Sequence, residues 1–225
     1  MELITGAWLV FKKDIRYELE NKETLIILFV FSLTVALTFN FAFDLSRTEA
    51  RRFLPGLIWI TALFASVLGF NKSMAFEKRG DAYGGLLIAP IPKTSIFLGK
   101  VSSSLVFLWA VEMVVIPLFF LFFNVELSAK IFGFLVIVFL LGSVGLSVIG
   151  SFLTNLCQGS KNSEILFSLG YFPLVVPILI SGTKLSAGIL DGKSIVAGPW
   201  VKLLIIFGLV YTVICLLLFE YLVEE

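Results

Sequence analysis

Few residues in this sequence have the types and spacing that chemistry at a protein site requires. The nearest match to a phosphate-binding loop is Gly188 to Ser194, GILDGKS, which has three residues between its glycines where G-x-x-x-x-G-K-[ST] needs four. The chain has no histidine, which removes the commonest metal ligand and general base. Cys157 and Cys215 lie far apart, without C-x-x-C or metal-ligand spacing. We therefore predict no catalytic residue, no metal site and no nucleotide site in this chain.

Glu112 is the one ionisable residue well inside a long apolar run, SSSLVFLWAVEMVVIPLFF. A charge at that depth of a membrane is costly, so such a residue is expected to face the bundle interior, a transport pathway or a subunit seam. Alternatively, a protonated carboxyl there can simply hydrogen-bond to a neighbouring helix. The sequence leaves both the pathway role and the structural role open.

The elements that must position these residues are membrane helices. Of the 225 residues 59% are hydrophobic, and the mean hydropathy of +1.03 exceeds what a soluble core needs. The net charge of +1 does not indicate partners, because the charges are concentrated in a few loops. From the apolar composition we expect a lipid bilayer as partner, and we expect no nucleic acid. A helix needs about 20 apolar residues to cross the hydrocarbon layer. The sequence predicts an all-α integral membrane protein, a single transmembrane domain over residues 1–225, with six spans at about 24–43, 54–70, 101–123, 131–153, 164–182 and 201–222.

An amphipathic segment over about residues 4–21 precedes the first span. Apolar side chains recur there at spacings of three and four, while the charged side chains fall on other faces. This pattern predicts an interfacial helix along the inner leaflet. The alternative is a solvated extension, in which large apolar side chains would be exposed to water. The apolar positions are Ile4, Trp8, Phe11, Ile15 and Leu19.

The distribution of positive charge predicts the orientation. Six spans place both termini on one side, and with that side inside, about ten lysines and arginines lie in inner segments against about seven outside. By the positive-inside rule both termini are cytoplasmic. The inner set comprises Lys12, Lys13, Arg16, Lys22, Lys72, Lys78, Arg79, Lys93, Lys100 and Lys161.

Prolines and small residues shape the predicted helices. Pro173 and Pro177 each remove a backbone donor, so the fifth span is expected to be kinked or broken toward its outer end. The following segment 183–200, TKLSAGILDGKSIVAGPW, is expected to form a short re-entrant or surface helix. Small residues at four-residue spacing predict close helix packing. They are Ala62 and Ser66, Ala65 and Gly69, and Ser143, Ser147 and Ser151.

Between the second and third spans lies FEKRGDAYGGLLIAPIP, residues 76–92. Its glycines permit sharp turns, its apolar core is compatible with a helix over about 81–89, and Pro90 and Pro92 end that helix. Such a stiff, partly apolar element at the cytoplasmic surface is suited to docking a soluble partner. An ordinary loop is the alternative.

Three stretches together resemble the haem exporter protein B family (CcmB), the permease subunit of the cytochrome c maturation system. They are KDIRYELENKE at 13–23, PGLIWITALFAS at 55–66 and YFPLVVPILISG at 171–182. The block around Trp59 is the most specific, and the resemblance runs over most of the chain. It implies an ABC-2 type permease with an N-terminal interfacial helix, six spans and a cytoplasmic coupling helix that contacts a separate ATPase.

The resemblance places the coupling helix in residues 76–92. Where the family has an Asp-Gly pair followed by Leu-Glu, this sequence has Gly80-Asp81 and Tyr83-Gly84, so Glu77 or Asp81 is expected to supply the contacting acid. The implied ATPase-coupling residues are Glu77, Lys78, Arg79, Gly80, Asp81, Tyr83, Leu86, Leu87 and Pro90.

The resemblance also implies partners and a role. It implies a homodimer in the cytoplasmic (inner) membrane, a cytoplasmic ABC ATPase that uses the ATP, and a haem-handling membrane subunit, so that the complex exports haem or releases it to its chaperone. No cofactor is expected on this chain. The alternatives are an ABC-2 exporter of a lipid, glycan or drug, the haem-handling protein itself, and a membrane enzyme. The haem-handling protein would need ligating histidines, and an enzyme would need catalytic motifs, neither of which the sequence contains.

Overall fold

The computed structural model describes residues 2–20, 22–43, 46–78, 84–85, 89–192 and 198–224. Over these ranges the chain is helical and contains no strand. Six of the helices are long and apolar enough to cross a membrane, which confirms the expected all-α fold with six spans. The helices are α1 (Glu2–Glu20), α2 (Glu23–Ala42), α3 (Arg47–Lys78), α4 (Lys93–Phe122), α5 (Ala129–Cys157), α6 (Ser163–Leu190) and α7 (Pro199–Glu224).

Several helices are longer than the apolar runs that predicted them. The second span was expected over about 54–70, but α3 has 32 residues and is therefore about 48 Å long. A hydropathy pattern registers only the part of a helix that crosses about 30 Å of hydrocarbon. The polar turns at both ends of α3 continue the helix beyond that layer.

The prolines of α6 do not break it. Pro173 and Pro177 both lie inside one helix that runs from Ser163 to Leu190. The expected break is therefore wrong, and so is the re-entrant helix, because residues 183–190 form the last turns of α6. Prolines are tolerated inside membrane helices, where neighbouring groups and small local adjustments compensate for the lost backbone hydrogen bonds. Whether α6 is kinked stays a prediction.

Three helices meet at the indole ring of Trp59 in α3. The ring is fully buried and stacks on Phe139 of α5 with 4.3 Å between centroids. Its Nε1 donates to Ser186 Oγ of α6 at 3.0 Å. Gly142 of α5 and Gly182 of α6 flank the ring, and a Cβ at either position would lie 2.3 Å from a ring carbon. The slot around Trp59 therefore exists because these two positions carry no side chain.

Helix α1 packs against α4 through small residues. A Cβ on Gly99 would lie 2.6 Å from Val10 Cβ, and Ser95 Oγ donates to the Leu3 carbonyl at 2.9 Å. On the other side of α1, Ile4 is 76% exposed and Trp8 is 60% exposed. α1 is thus docked on the bundle, and it presents the apolar stripe that an interfacial helix requires.

The Trp59 slot gives a stability prediction. Gly182→Ala and Gly142→Ala each force a methyl group against the indole ring of Trp59. Overpacking of this kind lowers the free energy of unfolding by about 1–3 kcal/mol. We expect a lower thermal unfolding midpoint in detergent for both variants. Gly208→Ala is the matched control, because a Cβ there meets nothing within 4 Å. An unchanged midpoint in the Gly182→Ala variant would show that the slot is not as tight as described.

Candidate functional site

A buried ionic cluster joins three helices at the end of the bundle where α1 packs, here named the α1 end. Glu77 near the end of α3 is 4% exposed, and Lys100, about two turns into α4, is 6% exposed. Lys100 Nζ forms an ion pair with Glu77 Oε1, and Gln158 Nε2 donates to Glu77 Oε2 at 2.6 Å. We name Glu77, Lys100 and Gln158 the Glu77 cluster.

The burial of the Glu77 cluster makes its members interdependent. Removing one partner from a buried ion pair leaves an uncompensated charge, which costs about 3–5 kcal/mol. Gln158 is the residue immediately after α5, so the carboxylate of Glu77 ties α3 to both α4 and α5. The two ends of the segment 79–92 are therefore held together by the residues that flank it.

Lys78 extends this connection to α6. Its Nζ donates to the Ser160 carbonyl at 3.0 Å and to Ser163 Oγ at 2.7 Å. Ser160 lies between α5 and α6, and Ser163 is the first residue of α6. The end of α3 thus makes side-chain contacts with α4, with the residue after α5, with the turn before α6 and with the first residue of α6.

The structure corrects one predicted coupling residue. Glu77 was one of the two acids expected to contact the ATPase, but its carboxylate points into the bundle because Lys100 and Gln158 bind it there. Lys78 and Pro90 are exposed. The remaining predicted residues lie outside the described ranges, namely Arg79, Gly80, Asp81, Tyr83, Leu86 and Leu87.

Sequence reasoning missed Lys100 as a partner of Glu77. It was counted only as one positive charge of an inner segment, since a separation of 23 residues from Glu77 leaves no local pattern that pairs the two. A lysine directly before a predicted span was the one available signal. Lysines at such positions are expected to extend toward the membrane surface, whereas this one is buried.

Beside the Glu77 cluster lies a polar cavity of about 70 Å³, between α1, α3, α4 and α5. Its volume suits a few water molecules, each of which needs about 10–15 Å³, and is far below the roughly 300 Å³ of the smallest organic-ligand pockets. Ser103 Oγ donates to Asp14 Oδ2 at 3.2 Å in its wall. Burial raises the pKa of the Glu18 carboxyl, which also lines it. A cavity of this volume can hold a few water molecules.

Glu112 lies inside the bundle, between α4 and α5. It is 4% exposed, and Ser143 Oγ of α5 lies 2.6 and 2.8 Å from its two carboxyl oxygens. The expectation of an interior position is therefore correct. A subunit seam is wrong, because side chains of this same chain enclose the carboxyl. The contact with Ser143 is the hydrogen bond to a neighbouring helix that the structural role predicts, and a pathway role stays a prediction.

The segment GILDGKS does not have the setting of a phosphate loop. A P-loop joins a strand to a helix, whereas Gly188 lies in the last turn of α6 and Gly192, with φ of 73°, follows the end of that helix. Lys193 and Ser194 lie outside the described ranges. Within those ranges no three acidic or cysteine side chains come together as a metal site requires.

Comparison with known proteins identifies the family. Residues 5–221 match the family described as CcmB protein. A protein of Rhodobacter capsulatus named Heme exporter protein B is 31% identical over 134 residues, which cover 60% of this chain and 61% of the relative. The protein of that name from Pseudomonas aeruginosa is 29% identical over 138 residues, which cover 61% of each chain. The aligned part thus spans about three fifths of these two relatives.

A longer alignment joins the chain to a relative of the same name from Bradyrhizobium diazoefficiens. The two are 24% identical over 217 residues, or 95% of this chain and 90% of the relative. The family match begins within α1, includes the Trp59 slot and the Glu77 cluster, and ends within α7. On this match, the chain is a multi-pass membrane protein that belongs to the CcmB protein family.

Proposed function

We propose that this chain is the membrane permease subunit of an ABC transporter complex for cytochrome c maturation. In that complex it supports the export of haem, or the release of haem to its chaperone, and a separate ATPase supplies the energy. The observation that carries the proposal is the match of residues 5–221 to the CcmB family, together with relatives named Heme exporter protein B.

The α1 end supports a coupling role for residues 79–92. A segment that transmits movement from an ATPase must be firmly attached to the membrane helices that are to move. One end of this segment follows Lys78, which is bound to α6, and Glu77, which is bound to α4 and α5. The other end enters α4 beneath α1. We propose that Arg79, Gly80, Asp81, Tyr83, Leu86, Leu87 and Pro90 contact the ATPase, with Lys78 at the edge.

The proposed orientation follows from the same segment. Contact with a cytoplasmic ATPase places the α1 end at the cytoplasmic face of the inner membrane, with both termini on that side.

An ABC transporter requires two membrane halves, and this chain supplies one, so it acts as a homodimer. A cavity of about 70 Å³ cannot hold a porphyrin. Haem is handled together with the haem-handling subunit, and ATP is bound by the ATPase.

Affinity purification in mild detergent tests the proposed assembly. We expect the ATPase and a haem-handling membrane subunit to copurify with the wild-type chain. An ABC-2 permease for a lipid, glycan or drug would have the same helical architecture, so the architecture does not separate the two. Recovery of an ATPase without any haem-handling subunit would favour that alternative and contradict the role in haem export.

The first functional prediction concerns the apolar part of the coupling segment. The double substitution Leu86→Asp and Leu87→Asp should reduce recovery of the ATPase by about tenfold or more, because apolar anchors carry most of an interface energy and tenfold corresponds to about 1.4 kcal/mol. Membrane insertion should be unchanged, since no spanning residue changes. Gly159→Asp is the control, at an exposed position of the same end. Wild-type recovery of the ATPase by the double variant would contradict the coupling role.

The second prediction is that the purified chain neither binds nor hydrolyses ATP. The chain lacks the four-residue spacing with which a P-loop surrounds phosphate. Phosphate release and nucleotide binding should both equal the background of the buffer. ATP turnover by a preparation shown to be free of other ATPases would overturn the assignment as a permease subunit.

The third prediction concerns the Glu77 cluster. The double substitution Glu77→Gln and Lys100→Met removes both charges, so no single charge stays buried and the fold is kept. We expect this variant to recover the ATPase at the wild-type level but to support less cytochrome c maturation, because the end of α3 is no longer tied to α4 by an ion pair. Lys161→Met, at an exposed position of the same end, is the control. Full maturation by the double variant would show that the cluster is not needed for transmission.

A further inference from the structure

The protonation state of Glu112 follows from counting protons at Ser143. Ser143 Oγ lies 2.6 and 2.8 Å from the two oxygens of Glu112 and 2.7 Å from the Phe139 carbonyl oxygen. A hydroxyl carries a single proton and cannot donate to three acceptors at once. If Glu112 carries a proton, it donates to Ser143 Oγ, and Ser143 donates its own proton to Phe139. Each contact then has a donor and an acceptor.

An ionised Glu112 would not be compensated. The ion pairs among the described residues involve other acids, and no lysine or arginine of those ranges lies within ion-pair distance of Glu112. Its one hydrogen-bonding partner there, Ser143, is neutral. A bare carboxylate in the middle of a membrane bundle is costly, whereas a neutral carboxyl with a satisfied hydrogen bond is not.

Hydroxyl groups connect the neighbourhood of Glu112 to the cavity at the α1 end. Ser66 lines that cavity, and its Oγ lies 2.9 Å from the hydroxyl of Tyr171. Tyr171 is fully buried, and its hydroxyl also contacts the Leu146 carbonyl at 3.3 Å. Ser147, the next residue, is fully buried, and its Oγ has no partner among the described residues. These hydroxyls extend from the cavity toward the middle of the bundle.

Tyr171 reaches α5 about one helical turn from Ser143. Its hydroxyl contacts the carbonyl of Leu146, which lies three residues beyond Ser143. Ser147, four residues beyond Ser143, lies on the same face of α5. One turn of α5 therefore separates the carboxyl of Glu112, bound to Ser143, from the hydroxyls that lead to the cavity.

We propose that Glu112 is a proton-binding site in the middle of the bundle, which exchanges its proton with the cavity at the α1 end through Tyr171 and Ser66. On release, the O–H bond of the carboxyl breaks and a carboxylate remains. Each hydroxyl accepts one proton and passes one on, and the proton reaches water in the cavity. Uptake is the reverse. This site requires only the chain itself, so its test does not depend on the ATPase.

Infrared spectroscopy of the full-length chain in detergent tests the site. A protonated carboxyl has a carbonyl stretch that a carboxylate lacks. The difference between the wild type and Glu112→Gln at neutral pH should show this band, and the band should shift when the proton is replaced by deuterium. A difference spectrum without a protonated-carboxyl band would overturn the proposal.

The rate of deuterium exchange tests the route. Tyr171→Phe and Ser66→Ala each remove one hydroxyl, and we expect both to slow the shift of the Glu112 band by about tenfold or more, equivalent to about 1.4 kcal/mol in the barrier. Tyr211→Phe in α7 and Ser181→Ala, a buried serine bonded to its own helix, are matched controls with wild-type rates. The two test variants act at different points, so distortion by one cannot explain slowing by both. Wild-type exchange in either would overturn the proposed route.

Discussion

The close approach of α3, α5 and α6 around Trp59 sets the geometry on which the interior depends. A large ring can lie between three helices only where two of them carry glycine, at Gly142 and Gly182. The same approach brings Ser66 of α3 to Tyr171 of α6 and holds Ser143 of α5 near the middle of the bundle. Close packing through small residues thus also places hydroxyl groups side by side, because serine is both small and polar.

At the α1 end, small residues pack α1 on α4, but the ends of α3, α4 and α5 are joined by charge. Polar groups inside a membrane protein must be satisfied by the chain itself, and the Glu77 cluster meets this demand by joining three helices at one carboxylate. α1 covers this region and contributes Asp14 to the cavity wall. The segment 79–92 therefore leaves and re-enters the bundle at its most strongly connected polar region.

Much of this fold could be predicted from the sequence, because hydropathy reports directly on what crosses a bilayer. The spans were found, whereas helix ends such as those of α3 were not, since polar turns beyond the hydrocarbon leave no hydropathy signal. Pro173 and Pro177 misled local reasoning because prolines are tolerated inside membrane helices, and both lie inside α6. The contacts of Glu77 could not be predicted at all, since Lys100 and Gln158 are 23 and 81 residues away. Pairing over such distances depends on packing and not on local pattern.

Glu112 shows why position alone could not decide its role. A carboxyl in an apolar run is compatible with a structural hydrogen bond and with a functional proton site, and the two roles differ only in what surrounds it. In this bundle the carboxyl contacts Ser143, which cannot satisfy an ionised carboxylate, and about one turn further along α5 the hydroxyl of Tyr171 is joined to Ser66 at the cavity wall. A purely structural carboxyl would need Ser143 but not a series of hydroxyls that ends at the cavity. The hydroxyls that continue from Tyr171 to the cavity are the feature that a structural hydrogen bond leaves unexplained.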